Sequence, residues 1–182
     1  MNHFFKPDID LFATRLNFKL SRYVSWNHDP GSEAVDAFTV SWAGFSPYLF
    51  PPFCLILRVL QKVQHDCVDK AIIVVPNWST QPWFPILLDL IVETPARLPK
   101  WKDLVFLPHD HSLHPLFRSL NLIVCVVSGK RWKRRAYQQT LVRRSYSHGD
   151  LAPTRLTTWD GNSGEIGVIN GGLISTKRLK KT

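Results

Sequence analysis

The chain has 182 residues, 23 Lys+Arg against 14 Asp+Glu, and a formal net charge of +9. Apolar residues at 45% and aromatics at 12% are too rich a mixture for a disordered chain, and the length suffices for one real core. Cys54, Cys67 and Cys125 form no CxxC pair, which excludes a disulfide framework and a cysteine zinc finger. No apolar run approaches the roughly 20 residues of a membrane span, and the first residues lack the apolar stretch of a secretory signal, so the expectation is an intracellular protein, nuclear or cytoplasmic, with no membrane partner.

In chain order, 8–13 (DIDLFA) reads as a short buried strand in which acids alternate with apolar residues. Turn formers dominate 14–33. The segment 34–40 reads as a second strand and 48–50 as a third, stopped by Pro51-Pro52, which cannot donate ladder bonds. From Phe53 to Gln64 the residues Ile56, Val59, Leu60 and Val63 recur at helical spacing. The β-branched run AIIVV at 71–75 reads as a strand covered on both faces. Thr80 and Pro82 open a helix over 82–93. Leu104–Leu107 reads as a strand, and Leu122–Val127 as either strand or helix. Strands alternating with helices predict an α/β fold with a mostly parallel sheet.

From Gly129 the chain changes character. Residues 1–128 hold 11 Lys+Arg and 11 Asp+Glu; residues 129–182 hold 12 bases and three acids. The whole charge excess therefore lies in a C-terminal extension beyond a neutral body. Residues 130–144 predict a basic helix in which Lys130, Arg131, Lys133, Arg134 and Arg135 surround Trp132, with Arg143 and Arg144 further on. Basic side chains neutralise phosphates and an interleaved aromatic can stack on a base, so non-specific contact with DNA or RNA is one reading of this segment. A solvated charge run and a nuclear-import signal are the others. Asn170-Gly171 between apolar pairs signals a hairpin over 166–175, and Lys177, Arg178, Lys180 and Lys181 form a basic end.

Two stretches carry a resemblance. DLFATRLNFKLSRYVSW at 10–26 is followed by LFPPF at 49–53, a helix, and AIIVVPNWSTQPWF at 71–84. In this order, and with HPLFRSLNLIVCVVSG at 114–129 behind them, they resemble the C-terminal part of the reverse transcriptase/RNase H polyprotein of DIRS-type retrotransposons. That part is similar to a Dam-type DNA N6-adenine methyltransferase domain. The resemblance implies a Rossmann-like methyltransferase sheet, mostly parallel with helices on both faces, over 1–128. A basic C-terminal helix and irregular tail follow over 129–182.

The resemblance also implies where a methyltransferase site would lie. Its NPPY motif falls on Phe50, Pro51, Pro52 and Phe53, and the cofactor-side positions on Asp10, Ala13 and Asn17. In such enzymes the leading Asn or Asp and the first Pro carbonyl accept hydrogen bonds from the adenine amino group, and the final aromatic stacks on the flipped base. Phe53 can stack and Pro51 keeps its carbonyl, but Phe50 has no acceptor, and no FxGxG loop is present. Phe50 is thus either a core residue at a strand end or the remnant of a pocket. The resulting expectation is an accessory, catalytically inactive module with no cofactor. The alternatives are an active enzyme using S-adenosylmethionine, and a structural brace for the RNase H/reverse transcriptase module. The polymerase YxDD acids are absent, and the resemblance implies that those of RNase H lie upstream.

Other constellations are weaker. His109, Asp110, His111 and His114 make an HDHxxH cluster without the helical HExxH spacing, so a solvated loop is expected and no metal site. Ser128, His148 and Asp150 lack a GxSxG elbow. The cysteines read as small apolar residues. Trp26, Trp42, Trp78, Trp83 and Trp101 read as core or rim, with Trp78 and Trp83 at a strand end where a stacking surface could form.

Overall fold

A computed structural model describes residues 5–99, 120–141 and 165–179. The predicted strand 104–107, Trp101, the HDHxxH cluster, Arg143, Arg144, His148, Asp150, Lys180 and Lys181 lie outside the described residues.

Among the described residues the main sheet contains six strands: β1 (Ile9–Asp10), β2 (Pro47–Leu49), β3 (Ala71–Pro76), β4 (Ala96–Arg97), β5 (Leu122–Val127) and β8 (Lys177–Arg178). Their spatial order is β1-β2-β3-β5-β4-β8. A separate hairpin is formed by β6 (Glu165–Ile169) and β7 (Gly172–Ser175). Its turn places Asn170 at φ 48° and Gly171 at φ 77°, the left-handed pair that an Asn-Gly hairpin turn uses.

Strands β1, β2 and β3 are mutually parallel, with Asp10 opposite Tyr48 and Tyr48 opposite Ile72. β5 then runs antiparallel to both β3 and β4, wedged between them. This corrects the Rossmann-like expectation: the sheet is mixed. An unbroken apolar run such as LIVCVV is buried on both faces whichever way it points, so its direction leaves no trace in its pattern.

The helices among the described residues are α1 (Ile56–His65), α2 (Phe84–Leu90) and α3 (Arg131–Thr140). They do not divide between two faces. Ile56, Val59, Leu60 and Val63 of α1 and Phe84, Leu87 and Leu88 of α2 share one core with Ala71, Ile73 and Val75 of β3 and Ile123, Cys125 and Val127 of β5. Tyr137 of α3 packs on that same core. The alternate strand residues, Ile72, Val74, Leu122 and Val124, form a second cluster with Leu120; Tyr48, Phe50, Trp78 and Leu98 pack against it, and it contains no residue of the three helices.

The predicted strand over 34–40 is instead a 3-10 turn at Ala37–Thr39, started by the Asp36 carboxylate accepting from the Phe38 N–H. It lies in the long β1–β2 connection, which has its own aromatic centre. Trp42 is fully buried, its indole N–H donates to the Ala37 carbonyl at 2.8 Å, and Phe12 meets it edge-on.

Asp66 ties this loop to α1. Its carboxylate accepts from the Trp42 N–H and the His65 Nδ1, both at 2.8 Å, and from Lys62 Nζ at 2.9 Å. Burial pushes the carboxyl up, but His65, the Trp42 N–H and Lys62 outweigh it and hold it at about 2, below the ordinary 3.8. A depressed carboxyl stabilises the fold above its unfolded pKa and loses that contribution as pH falls through the folded value. Asp66→Asn is therefore expected to cost about 1–3 kcal/mol at neutral pH. It should also remove part of the acid destabilisation between about pH 4 and pH 2, as read by thermal melts across that range. Parallel acid limbs for the two proteins would show that Asp66 is not the titrating group.

Candidate nucleic-acid interface

α3 begins where β5 ends. The buried Ser128 hydroxyl donates to the Val68 carbonyl at 3.2 Å and accepts the Lys130 N–H at 3.1 Å, which fixes the direction in which the helix leaves the sheet. One side of the helix then turns toward the body. Arg134 is 8% exposed, and Tyr137 is half-buried with its hydroxyl pKa raised by burial.

The bases on that side meet acids of the body. Lys130 Nζ and Lys133 Nζ reach the Asp69 carboxylate at 2.8 and 2.6 Å. Lys130 first, and then Lys133, hold that carboxyl below its ordinary range. Arg134 pairs with Asp89 of α2 through a short contact between Nη1 and Oδ2. Gln138 Nε2 donates to the other Asp89 oxygen at 3.3 Å, and Asn170 Nδ2 donates to Gln138 Oε1 at 3.0 Å. A single polar chain thus joins α2, α3 and the β6–β7 turn.

The outer side remains cationic. Arg131, Trp132 and Arg135 are exposed, Trp132 at 65%, and neither arginine pairs with a carboxylate among the described residues. They stand one helical turn apart, where like charges destabilise each other by roughly 0.2–0.5 kcal/mol. Beside them a groove of about 430 Å³ opens, lined by Gln64 of α1, Asp89 of α2, Arg131, Arg134, Arg135 and Gln138 of α3, and Asn170 of the hairpin turn.

The structure therefore brings together Lys130, Arg131, Trp132, Lys133, Arg134 and Arg135 on one helix but divides them by task. Lys130, Lys133 and Arg134 anchor; Arg131, Trp132 and Arg135 face outward. The partners Asp69, Asp89, Gln64 and Asn170 were not singled out as site residues by the sequence. Asp69 and Asp89 are lone acids 64 and 45 residues from the bases they hold.

The residues implied by the methyltransferase resemblance lie at and after the ends of β1 and β2. Asp10 is 2% exposed, and its oxygens accept from the Phe12 N–H at 3.3 Å and the Lys19 N–H at 3.1 Å. Burial raises its carboxyl against those two bonds. It also adds to the burial that pushes the neighbouring Tyr48 hydroxyl up to about 12. Ala13 is buried, and Asn17 is exposed with its side-chain oxygen accepting from the Thr14 N–H at 2.7 Å. Phe50 is half-buried against the second cluster; Pro51 is buried and Pro52 exposed. Phe53 meets Trp78 edge-on at 5.2 Å.

Cys54 and Cys67 are exposed, while Cys125 is buried with its thiol pushed up by that burial. Trp83 is buried, and Trp26 is 75% exposed. Among the described residues no group of three or more His, Cys, Asp or Glu could hold a metal ion, and no helix is long and apolar enough to cross a membrane. Comparison with family models, with curated proteins and with solved structures finds no match for this chain.

Proposed function

We propose that this protein is an accessory, catalytically inactive nucleic-acid-binding module, of the retroelement setting its sequence resembles, which holds DNA or RNA non-specifically through α3. One observation carries the reading. Three of the five bases between 130 and 135 are spent on Asp69 and Asp89, and this orients the other two, with Trp132 between them, toward solvent. Guanidinium groups on an anchored helix beside an exposed indole combine the two requirements of sequence-tolerant binding, phosphate neutralisation and stacking. The reading requires no cofactor and puts the protein in an intracellular setting.

Such binding weakens with salt, because each neutralised phosphate releases counterions. Anisotropy titrations of labelled DNA and RNA against the full chain should give a linear fall of log K with log salt. Arg131 and Arg135 alone account for a slope of about −1.4 on a single strand. Binding that is absent, or indifferent to salt, would defeat the reading.

A further inference from the structure

We infer that the groove between α3 and the β6–β7 turn is a phosphodiester site that prefers single-stranded nucleic acid, with Arg131 and Arg135 as its charged donors. This inference rests on the nucleic-acid reading above and narrows it to one place and one kind of strand.

The lining determines the sign of the ligand. Among the described residues, three guanidinium groups and one carboxylate border the groove, and that carboxylate, Asp89, already accepts from Arg134 and Gln138. The net lining charge is positive, and Arg131 and Arg135 have no carboxylate partner among the described residues. Arg134 adds to that positive lining. It is 8% exposed, it lines the groove, and its Nε is buried with no hydrogen-bond partner among the described residues. That atom is shut off from solvent, so Arg134 contributes its charge to the lining through a guanidinium already held by Asp89, and Arg131 and Arg135 supply the exposed donors. Guanidinium forks match the paired oxygens of a phosphodiester.

The surroundings favour a single strand. The groove is concave, bounded on one side by a helix packed against the body and on the other by Asn170 at a hairpin tip. A duplex presents a stiff convex surface with its bases stacked inside. A single strand can follow a groove with its backbone and turn a base outward. Trp132 is one residue from Arg131 and 65% exposed, with Lys133 Nζ 5.3 Å from its ring centroid. A cation over one face leaves the opposite face for a base, and stacking of this kind tolerates any sequence.

The test uses the full chain with fluorescein-labelled oligothymidine and with a duplex of equal length, each titrated at several salt concentrations. Arg131→Gln/Arg135→Gln should lower the magnitude of the oligothymidine slope by about 1.4, while Lys6→Gln, an exposed base elsewhere, leaves it unchanged. Trp132→Ala should weaken oligothymidine more than duplex, and Trp132→Phe should retain most of the binding. Wild-type binding that persists in the double arginine variant with an unaltered slope would overturn the groove while leaving the nucleic-acid reading intact. So would an equal or stronger affinity for duplex. A wild-type chain that binds no nucleic acid defeats both. Vesicles of phosphatidylcholine and phosphatidylserine form the last arm: vesicle binding that depends on the two arginines, without oligothymidine binding, would reassign the groove to lipid headgroups.

Discussion

Gly129→Ala is expected to destabilise the fold by more than about 3 kcal/mol, lowering the thermal midpoint by about 6–12 °C. The reason lies in how α1 ends. Cys67 sits at φ 51°, the Cys67 N–H donates to the Gln64 carbonyl at 3.2 Å, and the Val68 N–H donates to the Val63 carbonyl at 3.1 Å. These are the two bonds of a Schellman turn, with a cysteine at the left-handed position that glycine usually holds. Gly129 lies directly against this turn and donates its own N–H to the Val68 carbonyl at 2.9 Å. A β-carbon at 129 would fall on the Val63 carbonyl oxygen, 2.8 Å from the Val68 nitrogen and 2.9 Å from the Cys67 Cα. All three obstacles are backbone, so no rotamer change relieves them. Either the Schellman bonds break or β5 shifts away from α1, and α3, which starts at residue 131, shifts with it. Urea and thermal melts read the cost. A midpoint within about 2 °C of wild type would show that the turn yields freely.

The same glycine illustrates what a sequence can and cannot convey. Ser128-Gly129 reads correctly as the boundary before a helix, because chain direction and composition change there. That Gly129 is required by a turn some 60 residues earlier depends on tertiary contact, which no local pattern records. The helix α1 was legible for the opposite reason, since its buried residues repeat at the helical period along one continuous stretch. The Asn-Gly hairpin was legible because both left-handed positions have a chemical preference. Residues 34–40 read as a strand because apolar residues beside Asp36 can serve either a strand or a 3-10 turn, and the Asp36 cap decides it. The two-residue strands Ala96–Arg97 and Lys177–Arg178 are too short to have any period.

For the interface, the excess charge beyond Ser128 was legible, but its arrangement was not. The run Lys130–Arg135 looks uniform along the chain. Helical geometry divides it, because 130, 133 and 134 fall on one side while 131, 132 and 135 face away. Which side turns inward is decided by Asp69 and Asp89, both remote in sequence and each unremarked alone. Phe50 shows the converse. The resemblance gives it a place in a pocket, but like Trp78 and Phe53 it packs against an apolar cluster, which favours the plain reading of a strand-end core residue.

The second large effect concerns the ion pair that sets this orientation. The Arg134 side chain is 10% exposed and Asp89 is 44% exposed, so the two partners are unequal. Removing Asp89 leaves a guanidinium in a place where water reaches it poorly and where its Nε is already unpartnered. Asp89→Ala should therefore destabilise by about 2–4 kcal/mol, somewhat under the range for a fully buried pair. Arg134→Met keeps an unbranched apolar stem in the same space and leaves Asp89 partly hydrated, so it should cost about 1 kcal/mol or less. The double variant should resemble Arg134→Met alone, because the buried charge that made the Asp89 deletion costly is gone. Urea melts of the four proteins close the cycle, and additive costs would show that the pair does not couple. The binding readout separates anchoring from contact. Arg134→Met removes a base without freeing α3, so most of the nucleic-acid affinity should remain. Asp89→Ala removes the carboxylate from the groove lining, which by charge alone favours a phosphate, so weaker binding by this variant would show that holding α3 in place outweighs that gain.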